Sequence, residues 1–153
     1  MASNCRQTTT PFKKGAISAW KSAEANWKID NFSKVAQEAQ LFAEFILKTQ
    51  IMELDGTEIR THNLKSLARK ASGGNFEDPI YKAAVEMEKR GTKKRLLAVS
   101  TRYPKFLGNG CFDLETIPEA VYSKNEARFL LEKSFKIYHH LEKCQSRLHI
   151  FRF

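Results

Sequence analysis

The chain has 153 residues, 42% of them hydrophobic and 28% charged, and a formal net charge of +9. This length predicts one domain, residues 1–153, with residues 1–10 as a flexible N-terminus. No apolar run approaches the roughly 20 residues of a membrane helix, and the N-terminus lacks the apolar core of a secretory signal. Three distant cysteines (Cys5, Cys111 and Cys144) argue against a disulfide framework or a structural zinc site and favour a reducing cytoplasm.

The excess of basic residues concerns the partners of the protein and not its fold. Nucleic acid, an anionic ligand or an acidic partner protein would each be favoured electrostatically. Charge alone does not choose among these three classes of partner.

Apolar residues recur at helical spacing through most of the chain, and no segment shows sustained period-two alternation. We predict an all-α fold: an up-and-down four-helix bundle with a short additional helix after residue 62. The first two predicted helices run from Thr10-Pro11 to the segment 28–33 and from Phe32 to about Met52. The short helix follows, from His62-Asn63 to Ser72, and the third long helix runs from Asp78-Pro79 to Tyr103-Pro104. After a loop at 104–120, the last helix runs from Ser123 toward Cys144.

The end of the predicted third long helix carries the most informative charge pattern. Residues 89–105 contain seven basic side chains and no acidic one. If the helix is continuous, steps of about 100° place four of them on one outward arc: Lys89, Arg90, Lys93 and Lys94. Such an arc either binds phosphates in a sequence-independent, salt-sensitive way or is a solvated face that meets acidic residues elsewhere.

Arg95 and Arg102 differ from that arc, because the same helical arithmetic places both of them in the apolar sector. Charges there are costly unless each has a partner. The two arginines therefore either pair with buried carboxylates such as Glu44 or line a cleft that accepts an anion. This geometry requires that Gly91 does not break the helix.

Candidate general bases are few. The unshifted pKa of histidine lies near neutrality, and the chain has four histidines, at positions 62, 139, 140 and 149. His139 and His140 point about 100° apart on a helix, so we expect one partly buried and one solvated imidazole and no shared metal. No phosphate-binding glycine loop, zinc-protease motif or nucleophile elbow occurs. The sequence thus predicts no metal and no cofactor.

Apolar residues at two further places predict packing contacts. Trp20 and Trp27, on the first helix, indicate a core or a dimer face. The apolar segment 148–153 is expected to pack on the bundle or on a second subunit.

Taken in order, several motifs resemble the HEPN family, the higher eukaryote and prokaryote nucleotide-binding domains. The similarity covers roughly residues 14–143 and includes segments like the family's Q-x-x-AE-x-x-LK second-helix signature, its T-H-[DN]-L turn and its RYP segment. The matching segments are Trp20–Glu24 with Asn26-Trp27, Asn31-Phe32, Gln40–Lys48, Thr61–Leu64, Thr101–Pro104 and Asn125–Ala127.

The resemblance implies an up-and-down helical bundle, often dimeric. Its members commonly act beside a minimal nucleotidyltransferase, or as RNA-cleaving toxins and defence nucleases. The nuclease members carry an arginine, four to six residues and then a histidine near the last helix, and no arginine stands at that distance before any histidine here. Lys133 precedes His139 with five residues between them, but lysine lacks the bidentate fork of arginine.

We therefore expect a non-catalytic HEPN-type module that binds a nucleotide, RNA or a nucleotidyltransferase partner, as in a toxin–antitoxin system. In the predicted site the two arginines hold phosphate, the tyrosine stacks or hydrogen-bonds, and the histidine orients its turn. The predicted ligand residues are Lys48, His62, Arg95, Arg102 and Tyr103. Two alternatives stay open: a divergent metal-independent ribonuclease that uses Lys133 and His139, and an obligate dimer whose basic face docks an acidic protein.

Overall fold

The computed structural model describes residues 10–144, so the expectations for most of the N-terminal segment 1–10, for His149 and for the apolar segment 148–153 lie outside the described residues. In chain order the elements are α1 (Thr10–Lys28), α2 (Phe32–Asp55), α3 (Leu64–Ala71), α4 (Pro79–Glu88), α5 (Leu97–Ser100), β1 (Phe106–Gly108), β2 (Cys111–Phe112), a 3-10 turn (Leu114–Thr116), α6 (Pro118–Val121) and α7 (Lys124–Cys144).

Helix α2 is the central element of the fold, because it packs against α1, α3 and α7. Helix α4 packs in turn against α3 and α7. The indole of Trp20 on α1 lies 5.1 Å from the ring of Phe42 on α2 and 5.5 Å from that of Phe135 on α7, measured between ring centroids. The helical fold class is confirmed, and Trp20 packs against the core, one of its two predicted places.

Capping side chains begin two of the helices where the sequence predicted a start. The Asn63 side chain accepts hydrogen bonds from the amides of the second and third residues of α3, at 3.0 and 3.4 Å. The Asp78 carboxylate accepts one from the Ile80 amide at 2.8 Å, and Pro79 occupies the first turn of α4. Helix α2 extends past its predicted end, to Asp55, where Gly56 closes it with a φ of 70°.

The predicted continuous third helix is wrong beyond Glu88. Helix α4 ends there, and a loop leads to the four-residue α5. Lys93 and Lys94 have φ values of 50° and 60°, a left-handed geometry that an α-helix does not contain. Gly91 permits the chain to double back, because a Cβ at this position would lie 2.3 Å from the Arg95 carbonyl oxygen.

This break removes the basis for two predicted helical faces. The outward arc of Lys89 to Lys94 and the inward register of Arg95 with Arg102 both require one uninterrupted helix. The structure instead places Lys89 to Arg95 in the segment between α4 and α5, and Arg102 after the end of α5.

The segment predicted as a loop at 104–120 contains a small hairpin, a 3-10 turn and α6. Asn109 and Gly110 connect its strands with φ values of 51° and 74°, positive as in two-residue hairpin turns. Phe106 pairs with Phe112 across the strands, and their ring centroids lie 5.4 Å apart.

We expect Gly91→Ala to lower the free energy of unfolding by about 1–3 kcal/mol, because backbone must move to admit the new methyl group. Gly15→Ala is the control. Its Cβ would meet only the Phe45 ring, at 3.0 Å, and a gain of about 1 kcal/mol in helix propensity offsets that contact. Urea unfolding measures both. Equal effects of the two substitutions would contradict this account of the loop.

Candidate functional site

Lys48 and His62 meet at the buried carboxylate of Glu44. Gln40, Glu44 and Lys48 lie on successive turns of α2 and so share one face. Lys48 Nζ lies 3.1 Å from one carboxylate oxygen, and His62 Nδ1 and Gln40 Nε2 lie 2.9 and 3.1 Å from the other. The Glu44 side chain is only 3% exposed. Because a carboxylate only accepts hydrogen bonds, Glu44 directs Nδ1–H of His62 toward itself and fixes the imidazole.

A second carboxylate, that of Glu88, joins the starts of α3 and α5. One of its oxygens accepts a hydrogen bond from the Leu64 amide at 2.9 Å, and the other accepts one from the Leu97 amide at 3.1 Å. Each amide is a first-turn donor that has no partner within its own helix. The carboxylate therefore fixes two chain segments side by side, one entering from His62 and the other from Arg95.

Arg95 holds the loop between α4 and α5 in place. Its Nη2 donates to the Thr92 hydroxyl at 2.7 Å, and its Nη1 donates to the Tyr103 carbonyl at 2.9 Å. The Thr92 amide donates to the Ser100 hydroxyl at 2.9 Å, which closes the loop on α5. Arg95 thus connects the loop to Tyr103, which lies between α5 and the first strand of the hairpin.

Neither predicted arginine pairs with Glu44, whose carboxylate oxygens are taken by α2 and His62. The acceptors that the guanidinium groups contact are neutral: the Thr92 and Tyr103 oxygens for Arg95, and the Ala98 carbonyl at 2.8 Å for Arg102. Both arginines are half-buried and keep their full positive charge.

Most cations of the basic segment, which we define as residues 89–105, have no carboxylate partner among the described residues. Arg90 is the exception, because its Nη1 lies 2.8 Å from Glu126 Oε1 and its guanidinium lies over the Phe129 ring. Within residues 10–144, the members that form no ion pair are Lys89, Lys93, Lys94, Arg95, Arg102 and Lys105. The predicted pairing with acidic residues elsewhere thus holds for Arg90.

Tyr122 holds the start of the basic segment in place through a hydrogen bond. Its hydroxyl donates a hydrogen bond to the Arg90 carbonyl at 3.0 Å. Burial raises the pKa of Tyr122 to about 12, so the phenol stays protonated and keeps this bond over the physiological pH range.

Lys133 and His139, the candidate ribonuclease pair, contact different parts of the fold. Lys133 forms an ion pair with Glu86 of α4. The His139 ring stacks on Phe135, with centroids 6.1 Å apart, and its side chain is 53% exposed. His140 is less exposed, at 31%, which matches the expected solvated and partly buried imidazoles. The lysine is held on the α4 side of α7, so the geometry gives the ribonuclease hypothesis no support.

Two features of this region were missed from the sequence. Glu88 gave no local signal, because the amides it binds lie 24 and 9 residues away. The exposed rings of Phe106 and Phe112 had a signal in the Asn109-Gly110 pair between them, which is a frequent hairpin turn.

Other candidate sites carry less chemistry. In the part of the chain that the structure describes, no three histidine, cysteine or acidic side chains are grouped to hold a metal ion. An apolar groove of about 280 Å³ between α1 and α7 is lined by Trp20, Trp27 and Leu131 and by none of the predicted ligand residues.

Comparison with known proteins shows the family. The HEPN domain model matches residues 12–144, so this chain belongs to the HEPN family and is a nucleotide- or RNA-related module in general terms. No curated protein and no solved structure matches the chain. Among residues 10–144, every helix is too short or too polar to span a membrane.

We expect Glu88→Gln to lower the free energy of unfolding by about 1–3 kcal/mol, because the amide NH₂ that replaces one oxygen cannot accept a backbone hydrogen bond. Glu132→Gln, on the exposed side of α7, removes the same charge and is expected to be near neutral. Denaturant unfolding compares them. A Glu88→Gln protein as stable as the Glu132→Gln protein would refute the bridging role.

The ion pair of Lys133 predicts a pH effect. The hydrogen bond from Lys133 lowers the pKa of Glu86 below its ordinary value of 4.5. The pair therefore stabilises the fold above the ordinary pKa, and this contribution is lost as the pH falls through the lowered pKa. We expect Lys133→Met to raise the pKa of Glu86, as measured by NMR titration of its carboxyl carbon. An unchanged pKa would show that Lys133 is not held at Glu86.

Proposed function

We propose that this chain is a non-catalytic HEPN-type module that binds the phosphates of a nucleotide or RNA. Arg95 and Arg102 bind phosphate, His62 and Lys48 line the adjoining side, and Tyr103 supplies a ring. The observation that carries the proposal is the pair of half-buried guanidinium groups whose contacts are neutral oxygens.

The chemistry of these two arginines suits a phosphate. A guanidinium has five N–H donors, and Arg102 uses one of them, on the Ala98 carbonyl. The remaining donors and the uncompensated charge fit the bidentate geometry of phosphate oxygens. Partial burial strengthens such a contact, because less solvent screens it.

The two hydrogen bonds of Glu88 support one shared site for the predicted ligand residues. Lys48 and His62 lie on the α3 side of this carboxylate, and the other three ligand residues lie on its α5 side. Glu88 holds the chain after His62 and the chain after Arg95 on one carboxylate. Lys48 adjoins His62 through Glu44, and Tyr103 adjoins Arg95 through its carbonyl. The Glu44 cluster thus reaches the Glu88 bridge along the chain from His62 to Leu64, and Arg95 reaches it along the chain to Leu97; Arg102 directly precedes Tyr103.

The family also leads us to propose a homodimer and a nucleotidyltransferase partner, as in a toxin–antitoxin system, in a reducing cytoplasm. These stay predictions. The alternative of an acidic protein partner would draw on the same free cations, and the binding experiment below separates it from RNA.

We expect Arg102→Ala to weaken binding of a fluorescent mixed-sequence RNA about 10-fold, since a hydrogen bond to a charged group is worth about 1.5–3 kcal/mol. The slope of log affinity against log salt should fall by about one. Fluorescence anisotropy at several salt concentrations, in EDTA, gives both values. Lys21→Ala, an exposed lysine of α1 outside the site, is the control with the same change of charge.

Wild-type affinity in the Arg102→Ala protein, with an unchanged melting temperature, would refute the assignment. Binding of an acidic polypeptide but of no RNA or nucleotide would favour the protein-docking alternative. The RNA is also analysed on a gel after incubation. Cleavage by the wild-type protein that is lost in the His139→Ala variant would support the ribonuclease hypothesis.

A further inference from the structure

The hairpin beside the basic segment exposes aromatic rings that the core does not use. The exposed fractions of Tyr103, Phe106 and Phe112 are 61%, 59% and 50%. The two phenylalanine rings are inclined at 62° with centroids 5.4 Å apart. Three large rings are thus exposed within ten residues of sequence, and two of them, Phe106 and Phe112, pack against each other instead of against the core.

The backbone that carries these rings is firmly held. The buried Thr116 hydroxyl accepts a hydrogen bond from the Lys105 amide at 2.7 Å and donates one to the Asp113 carbonyl at 2.7 Å. The Asp113 amide donates to the Lys105 carbonyl at 2.8 Å, which closes the base of the hairpin. A ligand that used the rings would not have to order this backbone first.

Basic residues lie close to the rings in the sequence. Residues 89–112 contain seven basic side chains and no acidic one. Arg102 and Lys105 flank Tyr103 in sequence, and Arg95 is bonded to the Tyr103 carbonyl. Exposed rings beside unpaired cations are the combination that binds single-stranded nucleic acid, in which the bases stack on the rings and the cations contact the backbone.

We propose that Tyr103, Phe106 and Phe112 form a base-stacking platform through which this protein binds single-stranded RNA. The proposal rests on the phosphate-binding function above and adds the recognition of unpaired bases. A duplex keeps its base faces stacked inside and offers them to no ring, so the platform selects single strands.

Charge argues against a second copy of the chain as the occupant. A two-fold contact through this patch would bring two basic segments together, and like charges across an interface are unfavourable. RNA meets both features of the surface at once, with phosphates for the cations and bases for the rings.

The chain contains a matched control for the aromatic pair. Phe76 is 52% exposed and lies edge-on to Tyr81, with centroids 5.0 Å apart at 70°. Arg69 lies over this ring, but Glu77 and Asp78 follow it directly in the sequence. The control thus has similar rings in a setting that is not purely basic.

The test compares oligouridylate with duplex RNA in fluorescence anisotropy. We expect Phe106→Ala/Phe112→Ala to weaken oligouridylate binding about 10-fold or more, the range for loss of base–ring stacking, and to change duplex binding less than 2-fold. Phe76→Ala should leave both affinities unchanged. The Phe106→Leu/Phe112→Leu variant keeps apolar side chains of similar size but has no rings. It serves as the test if the alanine variant does not fold, and we expect it to lose oligouridylate binding as well.

The outcomes separate the two proposals. Wild-type oligouridylate affinity in the folded hairpin variants, with weaker binding in Arg102→Ala, overturns the platform and retains phosphate binding. Binding of neither RNA by the wild-type protein overturns the platform and also the binding of RNA phosphates. Tighter binding of oligodeoxythymidylate than of oligouridylate overturns the assignment to RNA. A wild-type dimer that the hairpin substitutions dissociate in sedimentation, with RNA binding unchanged, makes the patch a contact between copies.

Discussion

The Glu88 carboxylate accepts one hydrogen bond from the first residue of α3 and one from the first residue of α5. These two amides have no acceptor within their own helices, so the carboxylate satisfies both and fixes the two helix starts against each other. A negative charge at two helix N-termini is also favoured by their dipoles, most of all by that of the longer α3. The proposed phosphate site depends on this constraint, because His62 precedes one helix start and Arg95 precedes the other, whereas the hairpin is held by Thr116.

The distribution of charge follows from which cations the fold uses internally. Glu44 forms an ion pair with Lys48, Glu126 forms one with Arg90, and Glu86 forms one with Lys133. The loop between α4 and α5 uses Arg95 differently, as a donor to neutral oxygens, so its charge is kept. Six cations that form no ion pair among the described residues lie in residues 89–105, beside a hairpin whose rings are exposed, and others, such as Lys21 and Lys65, lie on α1 and α3.

The sequence predicted what local rules determine. Helices α1, α2, α3 and α7 and the start of α4 follow from apolar spacing and from caps such as Asn63 and Asp78. The break after Glu88 was not predicted, because Leu96 to Ala98 continue the helical apolar pattern of the sequence. In the structure the helix is interrupted at Gly91 and at Lys93 and Lys94, whose backbone is left-handed. The ligand residues were named from a resemblance and from an assumed helix. The contacts of Glu44 with His62 and of Glu88 with the starts of α3 and α5 span 9 to 24 residues of sequence and have no periodic signal, whereas Glu44 and Lys48 are four residues apart on α2.

The central claim is that residues 89–112 form one surface that binds single-stranded RNA. The most direct measurement is NMR mapping of backbone amides during titration with oligouridylate. We expect the shifts to concentrate in residues 89–112 and to extend to His62, with α1 and Phe76 unaffected. Shifts centred on α1 or on the groove at Trp20 and Trp27, or no shifts at saturating RNA, would contradict the claim.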